Sequence, residues 1–229
     1  MQLGYSGGLV CTTSGTLGVL VKKPGGSDVF LLSCSHVIAN CGQFNALFDL
    51  VPDSMKVVQQ PLVVSCDAAV NRVGVLTKCF SKIVSQDEGD TTADIALALL
   101  DANVAASTST IQASTGNSIG AFASEDPSQW QAGMTTRLLG AVTSGAYGAI
   151  VGYDSDTPEY ITYPTIGIVR FNGLVRYSTP CDSGDSGGAV IDDQNRLLGI
   201  HVAGDQSGQN LGFFLPVGTF MTQNGLVMA

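Results

Sequence analysis

An all-β fold is what this sequence predicts, and three observations carry the prediction. Short apolar runs recur along the chain with turn residues between them. Only 13% of the residues are charged, about half the usual share of ~25%. Glycine occurs 28 times, which suits tight turns and weakens helices. Many short strands at regular spacing fit either a barrel or a sandwich, and periodicity alone does not choose between them. With 229 residues, 45% of them hydrophobic, the chain has ample core for one large or two small domains.

Taken in order, residues 7–13 form a short apolar segment and 16–21 (Thr-Leu-Gly-Val-Leu-Val) read as a strand. Pro24-Gly25-Gly26-Ser27-Asp28 is a turn by chemistry, and 29–33 return as the second strand of a hairpin. Residues 35–40 follow as one helical turn. Further strands are expected at 63–66 and 70–77, then a charged, solvated loop at 86–90 and an apolar strand led by an acid at 94–100. The stretch 102–127 is rich in Ser, Thr, Ala and Gly without a strong period, and reads as the connection between two halves, 1–101 and 128–229. In the second half, 134–144, 146–153 and 160–171 carry branched and aromatic residues separated by turn signals. Strands at 188–191 and 197–202 flank a turn at 192–195, 213–216 reads as the last strand, and 217–228 as a short C-terminal helix.

A net charge of −9 argues against nucleic acid, which wants a basic stripe, and against an anionic membrane surface. No apolar run is long enough for a spanning helix. The first residues lack a basic n-region and an apolar h-region, so a cytoplasmic location is expected, or a secreted one if a leader has been trimmed. Cysteines stand at 11, 34, 41, 66, 79 and 181 with no Cys-x-x-Cys, and read as buried reduced thiols. With two histidines in the chain the spacing for a zinc site is poor, and no metal or organic cofactor is expected.

The chemistry centres on Gly184-Asp185-Ser186-Gly187-Gly188, a serine between an acid and two glycines ahead of an apolar run. A serine hydroxyl needs a neighbouring base to become a nucleophile, and histidine suits at neutral pH. His36 ends the apolar run that begins at Leu31. A carboxylate is then needed to orient the imidazole, and Asp94 opens the strand Asp94-Ile95-Ala96-Leu97. Asp87 and Asp90 compete but sit in a hydrophilic loop with no apolar strand to hold them.

These segments resemble the chymotrypsin-like serine peptidases, and the order His36, Asp94, Ser186 is that of the class. Gly133-Met134-Thr135-Thr136-Arg137-Leu138-Leu139-Gly140-Ala141-Val142 is similar to the segment that opens the second barrel of bacterial members, with Arg137 where they have glycine. The resemblance runs from about Gly15 to Pro216. It implies two six-stranded antiparallel β-barrels with the cleft between them, His36 and Asp94 on the first and Ser186 on the second. It also implies a polypeptide substrate, an acyl-enzyme on Ser186, and an oxyanion hole made by the N–H groups of Gly184 and Ser186. Asp185 pairs with a new N-terminus in the animal enzymes; here internal donors are expected to hold it.

Gly199-Ile200-His201-Val202-Ala203-Gly204 resembles the strand of glutamyl endopeptidases and picornavirus-type proteases whose histidine recognises Glu or Gln at P1. By that resemblance His201 donates to the P1 side chain, and Val202, Ala203 and Gly204 pair with the substrate backbone. Those families carry a threonine where Cys181 stands, and Ser178 and Thr179 are the nearby candidates to substitute for it. The alternative reading is a latent or inactive peptide-binding module on a peptidase fold, which needs a partner. Oligomeric state is left open by the sequence.

Overall fold

In the computed structural model the described residues are 6–9, 15–39, 56–59, 72–80, 83–102, 119–164, 166–205 and 210–229. The N-terminal half contributes β1 (Ser6–Leu9), β2 (Gly15–Thr16), β3 (Val19–Lys22), β4 (Val29–Ser33), β5 (Lys56–Gln59), β6 (Arg72–Cys79), β7 (Asp90–Thr91) and β8 (Ala96–Leu100). The turn at Pro24-Gly25 closes the β3–β4 hairpin, with Val19 opposite Leu32 and Lys22 opposite Val29. β4 then pairs antiparallel with β8, Ser33 opposite Ala96. That register decides the site. The helical turn Ser35–Ile38 starts just beyond one partner, and Asp94 lies just before the other.

The C-terminal half contributes β9 (Ala121–Phe122), β10 (Thr135–Leu139), β11 (Ala146–Tyr153), β12 (Glu159–Tyr163), β13 (Gly167–Phe171), β14 (Val175–Ser178), β15 (Ala189–Ile191), β16 (Arg196–Gly204) and β17 (Leu211–Pro216). Helix Gly218–Gln223 and β18 (Val227–Met228) end the chain. Strands β10, β11, β14, β17, β16 and β15 pair in that order, and β15 pairs back to β10, so six strands close into a barrel. Leu138, Ile150, Val175, Tyr177, Val190, Leu198 and Phe214 point into it and are buried. Each such side chain contributes roughly 1.5–3 kcal/mol through burial.

The N-terminal sheet runs β18-β3-β4-β8-β6-β5-β1-β2. Only Leu17 and Gly18 separate β2 from β3, so the two ends of that run meet in one stretch of chain. A third sheet, β12-β13-β7, joins a hairpin of the second half to the first half. β13 runs parallel to β7, with Arg170 opposite Asp90 and Phe171 opposite Thr91.

Several expectations change in detail. The apolar run 94–100 begins as strand only at Ala96, because Asp94 is drawn inward by side-chain bonds. Residues 160–171 are two strands, since Gly167 takes φ 91° at the turn. The strand at 175–178 was not anticipated; its short alternation of Val, Arg, Tyr and Ser carries little signal. The terminal helix covers only Gly218–Gln223, and β18 pairs with Val21 and Lys22 of the first half. Arg137 makes no turn: it lies within β10, paired with Tyr147 and Ile191, its guanidinium over the Tyr147 ring. The expected strand at 63–66 lies outside the described residues, as does most of 7–13 and of the connection 102–127.

Candidate active site

Asp94 is fully buried and receives four hydrogen bonds. Ser35 Oγ donates to Oδ1 at 2.7 Å, and the backbone N–H of His36 donates to the same oxygen at 3.0 Å. The His36 ring donates from Nδ1 to Oδ2 at 2.5 Å, and the Tyr163 hydroxyl donates to Oδ2 at 3.1 Å. Burial pushes this carboxyl's pKa up, but the His36 charge and the bonds from His36 and Ser35 outweigh it and hold it at about 2. The acid is therefore ionised at neutral pH and fixes the imidazole with Nδ1 towards it, leaving Nε2 for chemistry. The Tyr163 ring meets the imidazole edge-on, centroids 5.1 Å apart.

The loop from Gly184 to Gly188 is held by Thr16 of the N-terminal half. The Thr16 N–H donates to Ser186 O at 2.7 Å, and its Oγ1 donates to Gly184 O at 2.8 Å. That hydroxyl also accepts from the Ala141 N–H at 2.9 Å. Gly187 must be glycine: its φ is 90°, and a Cβ there would lie 2.3 Å from Ser33 Oγ and 2.4 Å from Thr16 O. Asp185 is fully buried, and its carboxylate accepts from the N–H groups of Val142 (2.9 Å), Thr143 (3.1 Å) and Asp182 (2.9 Å). Internal donors hold it, as the sequence suggested. Gly184 has φ 106°, and the N–H groups of Gly184 and Ser186 have no acceptor among the described residues.

The two halves also meet at the His201 carbonyl. His201 O accepts from the Gly187 N–H at 2.8 Å and from Cys34 Sγ at 3.2 Å. The segment leading to His36 and the loop carrying Ser186 thus share an acceptor. Ser186 Oγ donates to Val202 O at 2.9 Å, not to His36. A backbone carbonyl in line with the hydroxyl is a strong acceptor, and the side chain rests there.

His201 is buried (1% exposed) and its Nδ1 shares a 2.8 Å hydrogen bond with the Tyr177 hydroxyl. Burial, only partly offset by Asp185, pushes its pKa down to about 4, so it is neutral at pH 7. β16 pairs with β15 only through Leu197–Ile200 and with β17 as far as Gly204. Among the described residues, Val202, Ala203 and Gly204 therefore keep one edge without a partner strand. Thr179 is buried and its hydroxyl donates to Pro180 O at 3.2 Å. Cys181 is a half-buried thiol beside Gly204; burial, with Asp185, Asp182 and Asp205 nearby, pushes its pKa up to about 11.

Ligand atoms of Cys34, His36 and Asp94 lie within 4.8 Å of one another, a spacing that a metal ion could use. Nδ1 of His36 and Oδ2 of Asp94 already engage each other in a 2.5 Å hydrogen bond. Among the described residues, no helix is long and apolar enough to cross a membrane.

Sequence reasoning singled out His36, Asp94, Ser186 and His201 and passed over Thr16, Ser35, Tyr163 and Tyr177. Ser35 is adjacent to His36 and was legible as a neighbour; Tyr163 lies in the stretch read as strand at 160–171, and Tyr177 in a strand with little local signal.

A closed six-strand barrel beside a second β-sheet, with a buried His–Asp pair on the N-terminal half and a Gly-Asp-Ser-Gly-Gly loop on the C-terminal half, fits a chymotrypsin-like serine protease. Residues 15–200 match the family model for the trypsin-like peptidase domain, and the chain belongs to that family. A search of curated proteins gives no match. Solved structures with the same fold include Cellulomonas bogoriensis chymotrypsin (21% identity, TM-score 0.62, covering 100% of this chain and 97% of that one). Another is Thermobifida fusca protease A (15%, TM-score 0.64, 100% and 97%). A third is a glutamic acid specific serine protease described as using a histidine triad in substrate binding (17%, TM-score 0.66, 100% of both chains).

Proposed function

We propose that this protein is a serine endopeptidase. His36 serves as general base and then acid, Asp94 orients and stabilises the imidazolium, and Ser186 forms the acyl-enzyme. The N–H groups of Gly184 and Ser186 receive the oxyanion. The N-terminal sheet is read as the second six-stranded barrel, with β2 and β3 acting as one bent strand and the cleft between the barrels. The observation that carries the proposal is the 2.5 Å His36–Asp94 pair, built around an ionised, fully buried carboxylate. For attack, the Ser186 hydroxyl turns about one torsion from Val202 O to His36, a step on the picosecond–nanosecond scale. Catalytic hydrogen bonds commonly tighten only when substrate binds. The acyl-enzyme is then hydrolysed by water activated by the same imidazole.

The P1 side chain is proposed to be Gln or Glu, with Gln favoured. A phenol is a stronger donor than an imidazole N–H, so Tyr177 donates into Nδ1 of His201 and leaves the proton on Nε2. A neutral N–H donor suits a carboxamide oxygen. Asp182, Asp185 and Asp205, whose charges act on Cys181 in the same wall, oppose a carboxylate. Val202, Ala203 and Gly204 supply the free edge for the substrate strand, and Thr179 and Cys181 line the approach. A peptide library is expected to show kcat/KM for P1 Gln about tenfold above Glu and further above Ala, with all cleavage lost in Ser186→Ala. Cleavage after Lys, Arg or large apolar residues would overturn the P1 assignment.

One observation favours a second reading, a latent peptidase or peptide-binding module awaiting a partner: the Ser186 hydroxyl is bonded to Val202 O rather than to His36. Peptide binding without turnover would support it.

A further inference from the structure

We propose that Tyr163, delivered by the β12–β13 hairpin of the C-terminal half, is a positioning residue for Asp94, and that the hairpin is the arm that holds the acid in register. The inference rests on the peptidase reading above.

Asp94 sits in the N-terminal half, yet one of its four donors comes from the other half. Tyr163 is 6% exposed, its hydroxyl reaches Oδ2, the oxygen that faces the imidazole, and its ring edge packs against His36. The hairpin is anchored independently of that bond. β13 pairs in parallel with β7, the Gln86 N–H donates to Ile168 O at 2.8 Å, and Asn172 Nδ2 donates to Asp90 Oδ2 at 2.8 Å. The segment it grips, 86–91, leads directly into Asp94. The hairpin therefore fixes the chain entering the acid and caps the acid's outer oxygen. Its opposite face leaves Tyr160 59% exposed, so one side of the arm is free while the other holds the site.

The chemistry follows from the shared acceptor. Two donors divide the charge on Oδ2, the imidazole N–H and the phenol. Removing the phenol returns charge to the bond with His36, stabilises the imidazolium, and leaves Oδ2 held by the imidazole alone. The other polar groups facing the pair are Ser35 and Cys34 from the helical turn and its approach, and His201 across the cleft.

The test is steady-state kinetics across pH for Tyr163→Phe, which keeps the ring against His36. The expected result is kcat lowered about tenfold with KM within twofold, and the acid limb of kcat/KM displaced to higher pH. Tyr160→Ser, on the free face, is expected to match the unmodified protein. Site-specific 3-fluorotyrosine at 163, a more acidic phenol of almost the same shape, is expected to move the limb the other way and serves if the Phe variant does not fold. An unmoved limb and unchanged kcat in Tyr163→Phe, or an unmoved limb with fluorotyrosine, would overturn the proposal. Failure of the peptidase reading shows separately, as cleavage that survives Ser186→Ala.

Discussion

Two buried side chains set how this protein answers to acid. Asp94 is held at about 2, below its ordinary 3.8, so the bonds it receives stabilise the fold above pH 4 and are lost as the pH falls towards 2. His201 is depressed from 6.5 to about 4, so the folded state resists its protonation. Its contribution is complete above pH 6.5 and disappears as the pH falls through 4. Both losses run in the same direction but in successive windows. Urea unfolding followed from pH 7 to pH 3 is expected to show stability falling first between about 6.5 and 4. Replacing His201 with Gln is expected to flatten that first slope while leaving the later one. A slope unchanged by the substitution would mean that His201 is already protonated in the folded protein. The same neutrality underlies the proposed fit of His201 to an uncharged P1 side chain.

At the scale of elements, the loop from Cys181 to Gly188 has little regular structure, and its shape is imposed from outside. Thr16 ties down both of its central carbonyls, at Gly184 and Ser186. Thr16→Val keeps the shape of the side chain but strands the Gly184 carbonyl and the Ala141 N–H, at a cost of about 2 kcal/mol. The expected outcome is a lower Tm and slower reaction of Ser186 with an active-site probe, since the Gly184–Asp185 peptide, which joins the two proposed oxyanion-hole residues, loses its fixed orientation. A variant with the stability loss and an unaltered labelling rate would show that Thr16 supports the fold alone. The loop's residues were legible in the sequence because the chemistry needs Gly, Asp and Ser in contiguous order. Thr16 was not, because its role depends on a contact 168 residues away along the chain. The stretch carrying Tyr163 was legible as strand, but its contact with Asp94 was not, for the same reason: alternation marks a strand but not what the strand reaches.

For the whole molecule, the halves are coupled through the His201 carbonyl, the β7–β13 pairing and β18, which carries the end of the chain back to β3. The strands at 29–33 and 146–153 were read from sequence with their observed bounds, since turn residues mark both ends. The return of Val227–Met228 was read as helix, because two residues hold no period and their partner lies in the other half. In the proposed function this scaffold joins His36, Asp94 and Ser186 into one acyl-transfer site. The most direct measurement is to react the whole protein with a fluorophosphonate and map the adduct by peptide mass spectrometry. One phosphonylated residue is expected, Ser186, at a rate that falls in Asp94→Asn. An adduct on a different residue, or no adduct on a folded protein at any pH, would contradict it.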